Sequence, residues 1–322
     1  MKIAVVIPSY KVKKHILGVI EGIGSEVDRI YVVDDKCPNQ SGQFVLDNTT
    51  DKRVKVLFNP ENKGVGGAVV HGYKVALDEG FDILVKLDGD GQMDARLIPA
   101  LIKPIENQTA DYSKGNRFFF HKELLDQMPK IRFFGNSALS FVNKIVSGYW
   151  DIMDPTNGFT AIHRTALSLI DLDKLENRYF FESDLLFRLG TIQAVVNDMP
   201  MRSKYEDEES NLSVKKVLFS FPAKYAKRFF KRIMFQYFVR DFNIGSVSLL
   251  VGSLLMLLGT VVGIKFWYNS IVYQELASSG TVMFSALPII LGFQFLLFSL
   301  NYDVQNVPRI SLQKRTEGAF DS

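Results

Sequence analysis

The 322-residue chain has a single cysteine, Cys37. No intrachain disulfide can form, and a zinc cluster built on cysteines is excluded. The four histidines, His15, His71, His121 and His163, fall at no metal-ligand spacing and read as structural or exposed. The apolar stretch at the start is six residues long, short of a signal peptide's core, and reads as a first buried strand. Residues 1–214 contain no apolar run of spanning length, which excludes a many-span transporter. At 47% hydrophobic and 12% aromatic residues, the chain is too apolar for disorder.

What is present is divided unevenly. Residues 1–214 carry 26 Lys and Arg against 30 Asp and Glu, net −4, whereas residues 215–322 carry 12 against 5, net +7. The overall +3 therefore averages two different physical objects. In the second, Ile244–Ile264 is 21 residues without a charge, and Leu276–Tyr302 is a second uncharged stretch. About 20 apolar residues cross a bilayer core as a helix, so two spans are expected within 243–303. Pro288 in the second is better tolerated in a membrane helix than in a soluble one. The alternative, a pair of buried core helices, fits poorly, since globular helices of this length usually keep a polar face.

Two spans return both ends to one side. Lys215, Lys216, Lys224, Lys227, Arg228, Lys231, Arg232 and Arg240 precede the first, and Arg309, Lys314 and Arg315 follow the second. The loop between offers only Lys265, so the N-terminal region and the C-terminal tail (304–322) are expected on the cytoplasmic side of a cell's inner (plasma) membrane. Residues 215–242 interleave bases with aromatics and read as basic amphipathic interfacial helices, cationic side toward anionic lipid. A basic–aromatic stretch can instead bind nucleic acid, but this one runs directly into a span, so no nucleic-acid partner is expected.

Residues 1–214 alternate short apolar runs with helical patterns. Ile3–Ile7, Ile30–Val33, Val54–Phe58 and Ile83–Leu87 read as buried strands; His15–Ile23, Gln43–Asn48 and Gly67–Leu77 read as helices. That order predicts an α/β domain with a parallel sheet, whose ligands bind beyond the C-terminal strand ends. The polar residues fall there: Pro8-Ser9-Tyr10, Asp34-Asp35, Asn59 and Asp88-Gly89-Asp90-Gly91-Gln92. Asp88 and Asp90, with Gln92 as a neutral oxygen, can hold one divalent cation of the magnesium or manganese kind, which also takes substrate phosphates. The same Asp-Gly-Asp-Gly is good turn chemistry, and its position at a strand end favours the site. Asn62-Lys63-Gly64-Val65-Gly66-Gly67-Ala68 opens a helix, where anions are favoured. It is neither a dinucleotide fingerprint, since the third glycine position is Val69, nor a P-loop, since no Gly-Lys-Ser/Thr follows.

These motifs, followed by Asp154-Pro155-Thr156-Asn157-Gly158-Phe159, occur in the order that resembles a family 2 glycosyltransferase with the GT-A fold, the Rossmann-like mixed sheet of nucleotide-diphospho-sugar transferases. The amphipathic segment and two C-terminal spans make it similar to the polyisoprenyl-phosphate group of that family. The resemblance implies that Asp35 contacts the nucleotide, with Pro8 and Tyr10 framing the base and Lys63, Gly66 and Asp88 on the donor. It implies Asp88, Asp90 and Gln92 at the metal and diphosphate, and Arg117 near the phosphates. Arg132 and Arg202 resemble the basic residues around an acceptor phosphate. Asp154 is a candidate acid–base or orienting carboxylate, or else a turn cap; Glu182 and Asp184 form a second acidic pair toward the acceptor, where Asp184 can also cap a helix. The implied partners are a nucleotide-sugar donor, UDP-linked in preference to GDP-linked, an undecaprenyl or related polyisoprenyl phosphate, the lipid bilayer, and a second copy of the chain. The implied reaction inverts the anomeric centre and serves cell-envelope glycan modification.

The sequence departs from the family pattern at two places, where Tyr10-Lys11-Val12 replaces Tyr-Asn-Glu and Lys36-Cys37-Pro38-Asn39 follows the paired aspartates. A processive polysaccharide synthase is the first rival reading, but it usually has more spans and a Gln-x-x-Arg-Trp motif, whereas neither Trp150 nor Trp267 follows an arginine. A non-catalytic membrane scaffold on the same fold is the second, and the intact Asp-x-Asp argues against it.

Overall fold

The computed structural model describes residues 1–119, 130–202, 214–274 and 276–317. The chain divides into two compact units, residues 1–229 with 308–322, and residues 230–307.

The first unit is built on a seven-stranded sheet in the order β3-β2-β1-β4-β6-β5-β7. The strands are β1 (Ile3–Ser9), β2 (Arg29–Asp34), β3 (Val54–Phe58), β4 (Ile83–Lys86), β5 (Tyr112–Asn116), β6 (Thr160–His163) and β7 (Val196–Pro200). β1 to β4 are mutually parallel; β6 runs antiparallel to both β4 and β5, and β7 is parallel to β5. The sheet is therefore mixed beyond β4. β1 is buried along almost its whole length, which is why its apolar residues form a continuous run rather than an alternation. Helices α1 (Ile16–Glu21), α2 (Ser41–Asn48), α3 (Gly64–Asp78) and α4 (Ile98–Glu106) connect the early strands. α3 lies hard on β1: a Cβ on Gly72 would sit 2.4 Å from Val6 Cγ1. The chain turns outward from β1 to β2 and β3, then returns to the other side of β1 for β4. That reversal makes the C-terminal ends of β1 and β4 the switch point of the sheet, the place where sheets of this kind bind ligands.

Later come α5 (Lys130–Ser147), α6 (Arg164–Ser168), α7 (Phe181–Ile192) and α8 (Val214–Met234). Val146 of α5, Phe180 and Tyr225 of α8 form a second small core. The Tyr225 hydroxyl accepts a hydrogen bond from Asn143 Nδ2 at 2.8 Å and lies 3.0 Å from Ser183 Oγ, so the amphipathic helix is specifically docked. The chain re-enters this unit at α11 (Leu312–Thr316). There the buried Asp111 carboxylate accepts from the backbone N–H groups of Leu312 and Val195, at 2.9 and 2.8 Å.

The second unit holds α9 (Ile244–Tyr273) and α10 (Ser279–Gln305), 30 and 27 residues, both long and apolar enough to cross a membrane. Asn243 and Ser246 form a capping box at the start of α9. The helices run antiparallel and touch along glycines seven residues apart: Cβ atoms on Gly252 and Gly259 would lie 2.9 Å from Gly292 O and 2.7 Å from Ser285 O. Ser299 Oγ and Ser285 Oγ donate to the carbonyls of Gly245 and Gly259, at 3.0 and 3.1 Å. Small residues and hydroxyls at the contact are how helices associate where lipid removes the hydrophobic drive. A buried Arg232–Asp303 ion pair at 2.9 Å, joined by the Tyr237 hydroxyl at 2.7 Å, closes one end.

Candidate active site

The C-terminal end of β2 carries two aspartates with different duties. Asp34 accepts from the backbone N–H of Cys37 and Gly42, at 2.7 and 2.6 Å, and so fixes the loop into α2. Asp35, 2% exposed, turns to the glycine turn. Its carboxylate accepts from Asn59 Nδ2 at 2.8 Å and from the backbone N–H of Lys63 and Gly64 at 2.9 and 2.7 Å. Gly64 needs its missing side chain, at φ +82°. The backbone that approaches this turn is the protein's own: a Cβ on Gly66 would lie 2.3 Å from Glu176 O. Asp35, Lys63 and Gly66 are thus gathered at one place. Pro8 is half-buried at the end of β1, and Tyr10 beside it is exposed.

The turn after β4 brings Asp88, Asp90 and Gln92 to the neighbouring strand end. Asp90 Oδ1 accepts from the Gln92 backbone N–H at 3.0 Å, and Gly91 adopts φ +80° to close the turn. Asp88 is held by Lys86, a side chain with no part in the sequence reading. Lys86 is 1% exposed at the end of β4, with its ammonium 2.8 Å from Asp88 Oδ1, 3.2 Å from Glu182 Oε1 and 3.2 Å from Gly158 O. Burial alone would lower its pKa; the two carboxylates outweigh burial and hold it above its ordinary value. The available signal was a lone charge ending an otherwise apolar strand. Gly158 of the Asp154–Phe159 motif packs here too, since a Cβ on it would lie 2.4 Å from Asp88 Oδ2.

Asp154 is completely buried. Arg117 grips it in a fork, Nε to Oδ2 at 2.7 Å and Nη2 to Oδ1 at 3.0 Å, and its backbone N–H adds a bond at 3.2 Å. Burial pushes the Asp154 pKa up, but Arg117 outweighs it and the net shift is downward. Beneath lies Lys114, fully buried on β5, donating to the backbone carbonyl of Asp154. Burial lowers its pKa to about 8 against the opposing pull of Asp154. Asp198 on β7 accepts from Asn116 Nδ2 at 2.7 Å and the Met153 N–H at 3.0 Å, and burial pushes it up to about 6. Lys114 and Asp198 also went unread in the sequence, because long-range contacts bring them here: Lys114 reaches the Asp154 carbonyl across 40 residues, and the β5–β7 register sets Asp198 beside Lys114.

The remaining candidates disperse. Glu182 reaches Lys86, as above. Asp184, completely buried, accepts from Arg188 Nε at 3.1 Å, Arg228 Nε at 2.9 Å and the Glu176 N–H at 3.2 Å. Arg202 is exposed just past β7, and Arg132 lies in the first turn of α5, its side chain outside the described residues. Residues 120–129 and 203–213, on either side of those arginines, are likewise outside.

The profile of Glycosyl transferase family 2 matches residues 4–170, the stretch from β1 through α6. The chain belongs to that family. Among curated relatives it is 28% identical over 219 residues to UDP-N-acetylglucosamine–dolichyl-phosphate N-acetylglucosaminyltransferase of Methanococcus voltae, covering 64% of this chain and 86% of that one. It is 29% identical over 206 residues to undecaprenyl-phosphate mannosyltransferase of Micrococcus luteus, covering 62% and 83%. Among solved structures, glucosyl-3-phosphoglycerate synthase from Mycobacterium tuberculosis with Mn2+, UDP-glucose and phosphoglyceric acid matches with a TM-score of 0.53 at 17% identity. That match covers 72% of this chain and 79% of the other, and establishes the GT-A-like fold.

Proposed function

We propose that the protein transfers a sugar from a nucleotide-sugar, UDP-linked in first preference, to a polyisoprenyl phosphate such as undecaprenyl phosphate, at the cytoplasmic face of the plasma membrane. The observation that carries this reading is the placement of Asp35 with the glycine turn, and of the Asp88–Gln92 turn, at the C-terminal ends of β2 and β4, the two strands that flank β1, in a family 2 chain that continues into two helices of membrane length. Two relatives named for polyisoprenyl-phosphate acceptors support the acceptor class.

The Asp88–Gln92 turn presents oxygen donors alone and is half-exposed. Among the described residues no three or more His, Cys, Asp or Glu side chains are placed to hold a metal by themselves. Two carboxylates plus substrate phosphate is the arrangement Mg2+ and Mn2+ favour, so the residues fit such an ion. When bound, it would stabilise charge on the leaving diphosphate. The protein's own groups do the rest. A phosphate monoester has its second pKa near about 6 and is already largely dianionic near neutrality, so the acceptor oxygen needs little help from a base. Asp154, buried and ion-paired, orients Arg117 toward the phosphates rather than taking a proton. Lys86 neutralises Asp88 and keeps it aimed. Positioning then dominates, and direct in-line attack inverts the anomeric carbon. Trp267, Tyr268 and Tyr273 near the end of α9 would sit at the far interface, opposite the cation-rich ends.

The test is incorporation of label. Membranes containing the protein are incubated with labelled UDP-glucose, UDP-N-acetylglucosamine, UDP-galactose or GDP-mannose, undecaprenyl phosphate and MnCl2 or MgCl2, and lipid is extracted. One donor is expected to label the lipid, with loss of label in Asp90→Ala and on chelation. No labelled lipid with any donor refutes the reading.

A further inference from the structure

Helix α8 is tied to the donor side of the site by an unbroken series of contacts, and the chemistry above uses none of those made by Lys224, Arg228 or Glu176. Arg228 Nη2 lies 2.7 Å from Glu176 Oε1 and Lys224 Nζ 2.5 Å from Glu176 Oε2. The fork of Arg228 also takes Asp184 Oδ1 at 2.9 Å, while the other oxygen of Asp184 accepts the Glu176 N–H at 3.2 Å. Both cations lie over the Phe180 ring, 5.4 and 5.2 Å from its centroid. The segment so clamped, residues 176–178, is the backbone that presses on the glycine turn. Asn177 O accepts the Gly67 N–H at 3.1 Å, and Glu176 O and Asn177 O occupy the space that side chains on Gly66 and Gly64 would need. The turn in turn holds Asp35 through the Lys63 and Gly64 N–H groups.

We propose that Arg228 and Lys224 are positioning residues for the donor nucleotide: by clamping Glu176 they brace the glycine turn against Asp35. The proposal deepens the donor half of the reading above and rests on it. Arg228 suits this place because its rigid planar fork aims Nε at Asp184 and Nη2 at Glu176 in fixed directions, whereas an ammonium is a rotatable point charge. The consequence is that donor affinity depends on α8 being docked, so a helix that carries no donor ligand sets the nucleotide KM. Couplings of this kind through packed elements change affinity by roughly 2- to 30-fold.

The experiment titrates UDP, and separately GDP, with MnCl2 into the full-length protein in detergent by calorimetry, and takes the tighter nucleotide as probe. Wild type, Arg228→Ala, Glu176→Gln and Arg188→Ala are compared, with thermal unfolding recorded for each. Arg188, on α7, also pairs with Asp184 but not with the Glu176 side chain, so its removal takes a cation from the same carboxylate while Arg228 and Lys224 keep their hold on Glu176. The expected result is nucleotide binding about tenfold weaker in Arg228→Ala and Glu176→Gln, and within about twofold of wild type in Arg188→Ala. In turnover, the donor KM should rise by the same factor with the lipid-phosphate KM unchanged. Equal weakening in all three variants, or a change confined to the acceptor KM, overturns the proposal, as does wild-type binding of neither nucleotide. A wild type that binds nucleotide but transfers no sugar to lipid phosphate refutes the acceptor assignment alone, and the binding comparison still decides this one.

Discussion

Lys86→Met removes the ammonium from between Asp88 and Glu182 while keeping most of the side chain's volume. The wild-type ammonium is 1% exposed and makes contacts at 2.8 and 3.2 Å, and the Asp88 and Glu182 side chains are 26% and 13% exposed. Deleting one member of a buried ionic group leaves its partners uncompensated and destabilises by about 3–5 kcal/mol. Because Asp88 keeps some solvent, the lower end applies, about 3 kcal/mol. In a unit of this size each kcal/mol moves the unfolding midpoint by about 2–4 °C, so Lys86→Met should melt about 6–12 °C below wild type. The pH dependence fixes the cause. The folded-state pKa of Lys86 is raised above its unfolded value. Its stabilisation is therefore fully present below the unfolded pKa and is lost only as pH rises through the higher folded one. The deficit of the variant should accordingly be flat from pH 6 to pH 9. Adding Glu182→Gln to Lys86→Met should recover part of it, a coupling of about 1–3 kcal/mol. Thermal unfolding by fluorescence in detergent, at several pH values, measures all three quantities. A variant melting within 2 °C of wild type, a deficit that vanishes by pH 9, or no recovery in the double variant would refute the argument that one buried cation holds two carboxylates.

Arg117→Ala leaves Asp154 fully buried without its fork and should lower stability by about 3–5 kcal/mol in urea unfolding, whereas Asp154→Asn should lose clearly less. The folded pKa of Asp154 is depressed, so its contribution is present above the unfolded value near about 4 and lost as pH falls through the folded one; Asp154→Asn should therefore flatten the acid side of the stability curve below about pH 4. Gly66→Ala forces a Cβ to within 2.3 Å of Glu176 O, a backbone atom that cannot rotate away, and should cost about 1–3 kcal/mol and weaken nucleotide binding by calorimetry. Gly18→Ala, exposed in α1 with open space at its Cβ, should instead raise the midpoint slightly, since alanine is favoured over glycine in a helix by about 0.5–1 kcal/mol.

The parts of the molecule governed by near neighbours in the chain were legible. β1 to β4 are short runs of β-branched residues between turn formers, and each is found within a residue or two of its expected place. The Asp-Gly-Asp-Gly-Gln turn and the glycine turn are likewise local features. The uncharged stretch that marked the first span ends at Ile264, and the helix runs on to Tyr273 through Lys265. A charge does not terminate a helix; a lysine stem can lie along apolar surface while its ammonium reaches water, and the helix ends where Gln274 takes a left-handed conformation. What the sequence did not reveal depends on contacts made across long separations. Glu182 is 96 residues from Lys86, and Asp198 is 84 from Lys114. No spacing rule connects them, since their proximity is set by the ion pair that Lys86 at the end of β4 makes with Glu182 of α7 and by the β5–β7 pairing.

The largest correction concerns the cations of residues 215–242, whose uniform reading was toward anionic lipid. Lys224 and Arg228 instead pair with Glu176 and Asp184, and Arg232 is 2% exposed against Asp303. Their four-residue spacing places the three on one helical face, which is the face turned to protein carboxylates. Lys227 and Lys231 stay exposed, beside exposed Phe230 and Met234, and keep the amphipathic pattern for a lipid surface. The same distinction applies to the acidic N-terminal region. Asp88, Asp154, Glu176, Glu182 and Asp184 each meet a lysine or arginine within 3.2 Å, so its net −4 is not a bare negative surface. Summed charge along a chain reports what could be presented to a partner. Which charges are presented follows only after the fold has paired the rest, and in this protein the pairing consumes cations that a helical wheel assigns to the membrane.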